Sequence, residues 1–175
     1  DLYTRLTTWD MRIDELETAG LAGNQRELHA TCNTLFSDFV AEKYPEWVQG
    51  TDSPVLSLDV LDQYVLPHIR NGEQVFFVIF DCLRLDQWRT LEPLLSAYFH
   101  IEYDLYYGIL PSATAYARNA LCSGLFPREL AERYPEYWSE TSDAESSTNR
   151  HEKQLIELKL QREGLYLKPP PRYFK

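Results

Sequence analysis

Thr114 stands in a short motif whose residue types suit nucleophilic or anion-binding chemistry. The motif, Pro111-Ser112-Ala113-Thr114, follows an apolar, aromatic run and opens an alanine-rich stretch that is typical of a helix. Free backbone N–H groups in a first helical turn bind anions, and a threonine oxygen held by a metal can attack phosphorus. Serine and threonine are also common helix caps. The sequence leaves both roles open for Ser112 and Thr114.

Three further polar side chains are candidates for the same chemistry. Asp81 is the first residue after the apolar run 74–80, where a carboxylate serves either as a helix N-cap or as a metal or phosphate-site ligand. Arg118 lies one helical turn beyond Thr114, so it reaches either a phosphate oxygen or an acidic neighbour. Asn119 can hydrogen-bond the same group or a loop carbonyl. We expect Arg118 and Asn119 to bind phosphate.

The elements around these residues predict an α/β domain. The run 74–80, QVFFVIF, is continuously apolar, which suits a strand buried on both faces of a parallel sheet. An amphipathic helix follows it, and a second strand candidate, 101–110, leads into the Thr114 helix. Strand–helix–strand–helix is the pattern of a doubly wound domain with a mostly parallel sheet. We expect Asp81 and Thr114 to converge at the carboxyl edge of that sheet.

The N-terminal part of the chain predicts helices instead of strands. Apolar residues recur at spacings of three and four over 1–18, and a second helix runs from about residue 24 until Pro45 ends it. A third helix begins near Ser57 and stops at Asn71-Gly72. These patterns predict a helical region over 1–70 and an α/β region over 71–175. The polar stretch 139–150 predicts a loop before a last helix.

Composition excludes some classes of protein. The net charge of −10 argues against a protein that binds duplex nucleic acid through a broad basic face. The three cysteines form no CxxC pair and no cluster with histidine, so a structural zinc site is not predicted. An odd number of cysteines and no targeting peptide indicate a reducing, cytoplasmic location. No apolar run approaches the ~18 residues of a membrane span.

Two longer stretches carry a family resemblance. VFFVIFDCLRLDQW and ILPSATAYARNALCSGLFP, in this order, resemble the PglZ domain, a branch of the alkaline phosphatase superfamily. The resemblance extends to SSTNRHEKQLIELKLQREGL and to the helical region before the domain. Among PglZ proteins, the chain looks like the PorX-like response regulators that are linked to type IX secretion. The resemblance covers nearly the whole sequence.

The resemblance implies roles for two of the candidates. In that superfamily an Asp after the first strand is a zinc ligand, and this role falls on Asp81. The Thr of a Pro-x-x-Thr motif is the metal-bound nucleophile, and this role falls on Thr114. A complete domain of this kind holds two zinc ions. The fold implied is a helical segment followed by the first half of an alkaline-phosphatase-like, doubly wound, mostly parallel sheet.

Two departures from the family pattern limit these expectations. The later Asp-x-x-x-His and Asp-His motifs, which supply the remaining metal ligands, do not follow Thr114. The receiver domain that begins PorX-like proteins is not present either, since the first 44 residues are helical in pattern. We therefore expect the chain to be the middle of a longer protein. Alone, it is expected to bind zinc weakly and to be inactive, with His151 the first residue to examine if zinc binding proves tight.

Three functions follow from the residues and the resemblance. The first is a zinc-dependent phosphohydrolase or phosphodiesterase that acts on nucleotide or oligonucleotide phosphodiesters within a PorX-like two-component response regulator. The second is a non-catalytic signalling output module that binds a sensor histidine kinase or a sigma factor. The third is a helical dimerisation element on an inert α/β domain, which gives a homodimer. None of the three requires a membrane.

Overall fold

The structure, a computed structural model, describes residues 2–15, 22–138 and 150–174. In this part of the chain, helices are joined by turns, bends and segments without regular secondary structure. The α-helices are α1 Leu2–Glu15, α2 Ala22–Val48, α3 Leu66–Arg70, α4 Leu85–Leu95, α5 Thr114–Ser123, α6 Pro127–Arg133 and α7 Glu152–Arg162. Short 3₁₀ turns lie at Ser57–Asp59 and Pro135–Tyr137, and a π-helical turn lies at Leu61–Val65.

The prediction of an α/β fold with a doubly wound, mostly parallel sheet was wrong. Among the described residues, β pairing is limited to one isolated parallel bridge, between Leu56 and Tyr107. The Tyr107 N–H donates to the Val55 carbonyl at 2.9 Å, and its carbonyl accepts from the Ser57 N–H at 2.8 Å. The second strand candidate therefore pairs with residues 55–57 and not with 74–80.

The run 74–80 forms no described helix or strand, and its side chains are largely open to solvent. Phe76 is 86% exposed and Val78 is 64% exposed. An apolar, β-branched composition favours a buried strand. A strand also needs a second segment to pair with, and the composition of one segment does not reveal that partner. The mistake in the sequence prediction was to infer the partner from the composition of one segment.

The chain divides into two compact units, which we describe separately. The first unit comprises residues 1–53 and 80–104, and the second comprises residues 54–79 and 105–175. The domain boundary predicted at residue 70 stays a prediction. The polar loop predicted at 139–150 lies almost wholly outside the described residues.

In the first unit, α1 packs against α4 and is hydrogen-bonded to α2. The Asp10 carboxylate accepts from Gln25 and pairs with the His29 imidazole, both at 2.9 Å. The predicted end of the second helix at Pro45 was wrong, because α2 continues through that proline to Val48. Proline removes only one backbone hydrogen-bond donor from the helix. The rings of Tyr44 and the buried Trp47 pack against each other in this last turn, and this contact favours its helical conformation.

The second unit is built around an apolar core between α5, α6 and α7. Its buried members are Cys122, Leu125, Leu130 and Leu155. The predicted helix over the last part of the chain is confirmed as α7. The predicted helix near Ser57 is confirmed only as a succession of 3₁₀, π and α turns that ends at Asn71 and Gly72.

An ionic cluster joins α7 to the helices before it. Lys159 is buried, and its Nζ lies 2.7 Å from an Asp62 carboxylate oxygen and 3.0 Å from a Glu163 carboxylate oxygen. Arg70, at the end of α3, pairs with Glu163 at 2.7 Å. Gly124 ends α5 with a φ of +63° beside the Lys159 side chain. Within the described residues, no helix is long and apolar enough to span a bilayer.

Candidate functional site

Thr114 is the first residue of α5, where the sequence predicted a threonine in the first helical turn. The N-cap residue is Ala113, whose carbonyl accepts from the Tyr116 and Ala117 N–H groups, both at 2.9 Å. No side chain in the described chain caps this end of the helix. Ser112 is exposed and Thr114 is half-buried. The structure therefore does not support a role for the Ser112 or Thr114 hydroxyl as the N-cap of α5.

Arg118 lies on α5 one turn after Thr114 and pairs with a carboxylate. Its Nε is 2.6 Å from Glu152 Oε1, and its Nη2 donates to Glu152 Oε2 at 2.9 Å. The Nη2 contact is a charge-assisted hydrogen bond, whereas the Nε contact is an ionic contact without hydrogen-bond geometry. Of the two partners that the sequence left open for Arg118, the structure contains the acidic neighbour.

Glu152 is almost completely buried, with 1% of its side chain exposed. It is the first residue of α7, and the Tyr173 hydroxyl donates a hydrogen bond to its Oε2. Burial, and then the hydrogen bond to Glu152, raise the pKa of Tyr173 to about 12. Tyr173 is therefore protonated at neutral pH and remains a donor to the carboxylate.

The other two predicted site residues lie in different surroundings. Asn119 is 1% exposed and belongs to the buried face of α5. Asp81 is exposed in a turn before α4, and the Cys82 thiol lies 3.7 Å from its Oδ1. Since the N-cap residue of α4 is Arg84, Asp81 does not cap that helix. The structure brings Thr114, Arg118 and Asn119 together on α5, in the second unit, whereas Asp81 belongs to the first. The roles of all four stay predictions.

Glu152 and Tyr173 were missed by the sequence analysis. Glu152 precedes Leu155 and Lys159 at helical spacing, and all three are buried. A glutamate on the buried face of a helix requires a cationic or donor partner, and this spacing was the available signal. Tyr173 gave no such signal, because it follows α7 in a segment without periodicity.

The described residues do not supply a complete zinc centre. No group of three or more His, Cys, Asp and Glu side chains in the described ranges is arranged to hold a metal ion. Asp81 and Thr114 would supply one carboxylate and one hydroxyl, whereas zinc sites in proteins have three or four protein ligands. The residues present therefore do not by themselves fit the two-zinc centre that the family resemblance implies.

Comparison with known families confirms the resemblance seen in the sequence. Residues 60–168 match the BREX system PglZ alkaline phosphatase-like domain. Residues 1–48 match the PorX response regulator linker domain. No curated protein matches the chain. Because the PglZ match spans well over half of the sequence, the chain belongs to the PglZ family of alkaline phosphatase-like domains, and it carries a PorX-type linker before that domain.

Proposed function

We propose that the chain provides the nucleophile of a phosphodiesterase within a PorX-like response regulator. The observation that carries this proposal is the position of Thr114 in a PglZ domain: it opens α5 and is not used as a cap. The first-turn N–H groups and the positive end of the helix dipole favour a phosphate group there. Nucleotide or oligonucleotide phosphodiesters are the substrate class that we infer from the family resemblance.

The proposed reaction proceeds by two displacements at phosphorus. Thr114 Oγ bonds to phosphorus, the bond from phosphorus to one ester oxygen breaks, and the threonine proton ends on the leaving alcohol. Water then attacks the same phosphorus and the bond to Thr114 breaks; one water proton returns to Thr114 Oγ, and a phosphomonoester is released. Arg118 and Asn119 are the proposed phosphate-binding residues. Both lie within five positions of the nucleophile on the same helix.

We propose zinc as the cofactor of the complete site, with Asp81 and Thr114 among its ligands. When bound, zinc supplies a Lewis acid that lowers the pKa of a coordinated hydroxyl. In the full-length protein, Asp81→Asn should reduce the zinc content measured by atomic absorption. Asp52→Asn, at another exposed turn, should leave it unchanged. Equal zinc content in both variants would remove Asp81 from the ligand set.

A non-catalytic output module is the second candidate function. The PorX response regulator linker match over 1–48 favours it, because such a linker connects a regulatory module to an output domain. In this case the partners are a sensor histidine kinase or a sigma factor, and a homodimer is compatible with it. The proposed location is cytoplasmic, which agrees with three cysteines that form no disulfide.

The two functions are separated by the activity of paired hydroxyl variants. In the full-length protein, Thr114→Ala should lower hydrolysis of bis(p-nitrophenyl) phosphate by at least about a thousandfold, because it removes the nucleophile. Ser112→Ala is the matched control, since Ser112 is an exposed hydroxyl two residues earlier, and it should retain activity. Circular dichroism should show both variants folded. Equal losses of hydrolytic activity in the two variants would show that Thr114 is not the nucleophile. An inactive wild type would favour the binding module.

A further inference from the structure

The Arg118–Glu152 pair joins two helices in a setting where an ion pair carries a large desolvation cost. Glu152 is 1% exposed and Arg118 is 23% exposed. Removing two charges from water costs several kcal/mol per ion, and such a pair is often no more stable than apolar side chains of similar volume. Stability alone is therefore a weak explanation for a carboxylate at this position.

The pair fixes the direction of the Arg118 side chain. The hydrogen bond from Nη2 and the ionic contact at Nε hold two atoms of the guanidinium against one carboxylate, which limits where the guanidinium can lie. Tyr173 in turn donates to Glu152, so the carboxylate is held by α5 and by the segment after α7. A chain of contacts thus leads from Tyr173 through Glu152 to Arg118.

Arg118 lies beside the proposed nucleophile by helix geometry. Residues four apart occupy one face of a helix, with Cβ atoms about 5–6 Å apart. The Cα–Cβ bond of a helical residue tilts toward the N-terminus of the helix. The Cα–Cβ bond of Arg118 is therefore tilted toward the turn that begins with Thr114, and its guanidinium contacts Glu152.

We propose that Glu152 is a positioning residue: with Tyr173, it holds the Arg118 guanidinium at the first turn of α5, where Arg118 binds a phosphate oxygen of the ligand. This proposal rests on the proposed function for the location of the site. Glu152 does not touch the phosphate and acts through Arg118. The competing explanation is that the pair only stabilises the packing of α5 against α7.

The test uses variants of the full-length protein and two measurements. Glu152→Gln keeps the shape of the side chain but removes its charge and one acceptor. Glu157→Gln is the matched control, because Glu157 is on the same helix and pairs at 3.8 Å with Lys153 instead of Arg118. Calorimetry gives the Kd for inorganic phosphate, and kinetics with bis(p-nitrophenyl) phosphate give KM and kcat. Thermal melts identify the variants that remain folded.

We expect Glu152→Gln to raise the phosphate Kd and the KM about tenfold, with a smaller change in kcat. Glu157→Gln should change neither. In an Arg118→Gln background, Glu152→Gln should cause no further loss, because it acts through Arg118. If Glu152→Gln alone does not fold, Tyr173→Phe replaces it. This change removes only a hydroxyl from a side chain that is 38% exposed, and it should raise the phosphate Kd about fivefold.

The outcomes separate this proposal from the proposed function. If the wild type hydrolyses no diester but Glu152→Gln still weakens phosphate binding, the positioning role stands and the proposed function fails. If hydrolysis depends on Thr114 but folded Glu152→Gln leaves the phosphate Kd and the KM unchanged, the positioning role fails and the function stands. The positioning role would also be overturned if Glu152→Gln weakened phosphate binding further in the Arg118→Gln background. A wild type that binds no phosphate would overturn it as well.

Discussion

Cys82 and Cys122 have different surroundings, and these predict different reactivities. Cys122 is 0% exposed, and its pKa is raised to about 12, first by burial and then by the Glu152 charge. Cys82 is exposed in the turn after Asp81. At about pH 8, Ellman's reagent should label Cys82 within minutes and leave Cys122 unlabelled until the protein unfolds, because the thiolate is the reactive form.

Denatured protein should then titrate with three thiols, one for each free cysteine. Cys82→Ser should abolish the fast phase and leave the slow one. A fast phase that survives Cys82→Ser and disappears in Cys122→Ser would show that the second unit opens around α5 far more readily than its packing implies. A total of one thiol would indicate a disulfide.

At the residue scale, the place of a residue in its helix was easier to predict from the sequence than the residue with which its side chain interacts. The place of Thr114 at the start of a helix follows from Pro111 and the alanine-rich stretch, and the structure agrees. The partner of Arg118 was named only as a phosphate or an acidic group, because Glu152 is 34 residues away in sequence. A long-range ion pair depends on how two helices dock, which no local pattern encodes.

At the element scale, two glycines that end helices provide a matched test of the Lys159 cluster. Gly124 and Gly164 have φ values of +63° and +70°. A Cβ at Gly124 would meet Lys159 Cε at 3.1 Å, whereas a Cβ at Gly164 would meet nothing within 4 Å. Both alanine variants carry the left-handed backbone strain of about 1–2 kcal/mol, but only Gly124→Ala also displaces the buried lysine.

In urea unfolding, Gly124→Ala should therefore lower the free energy of unfolding more than Gly164→Ala does, by about 1 kcal/mol or more. The excess should shrink when Lys159 is replaced by methionine, which removes the amine held by Asp62 and Glu163. Equal losses in the two glycine variants would mean that the lysine moves aside without breaking its ion pairs.

The same cluster predicts an acid limit to stability. Hydrogen bonding to Lys159, and then to Arg70, holds the pKa of Glu163 below its ordinary value. A carboxyl group with a lowered folded-state pKa stabilises the fold at a pH above its unfolded-state pKa of about 4.3, and this contribution is lost as the pH falls through the folded-state value. Glu163→Gln should therefore flatten the decline of the melting temperature below about pH 5.

Glu157→Gln is the control for this pH dependence, because Glu157 lies on α7 and its contact with Lys153 is long, at 3.8 Å. Its melting temperature should decline with acid as steeply as that of the wild type. A decline of equal slope in all three proteins would show that the Lys159–Glu163 pair adds nothing to stability.

Helices were more predictable than extended segments at this scale. The prediction of α5 rests on its alanine-rich composition, and those of both α5 and α7 rest on the glycines that follow them, Gly124 and Gly164. The strands were not predictable in the same way, because a helix satisfies its own backbone whereas a strand needs a second segment. The only described bridge pairs Tyr107 with Leu56, and nothing in the run 74–80 indicates that choice.

At the scale of the whole molecule, family membership was the most secure inference from sequence. The two motifs around Asp81 and Thr114 led to the PglZ family, and the family matches confirm this over 60–168, with a PorX linker over 1–48. The proposed sheet was wrong although the family was right. Motif recognition depends on a few residues in order, whereas the fold depends on the contacts that every segment makes.

The stereochemistry at phosphorus tests the central claim, that Thr114 is the nucleophile, most directly. The full-length protein would hydrolyse a phosphorothioate diester of one configuration in ¹⁸O-labelled water, and the configuration of the product would be read by ³¹P NMR. Attack by Thr114 followed by attack by water inverts the phosphorus twice. We therefore predict net retention of configuration, and none of the reaction in Thr114→Ala. Net inversion would mean a single attack by water and would contradict the account.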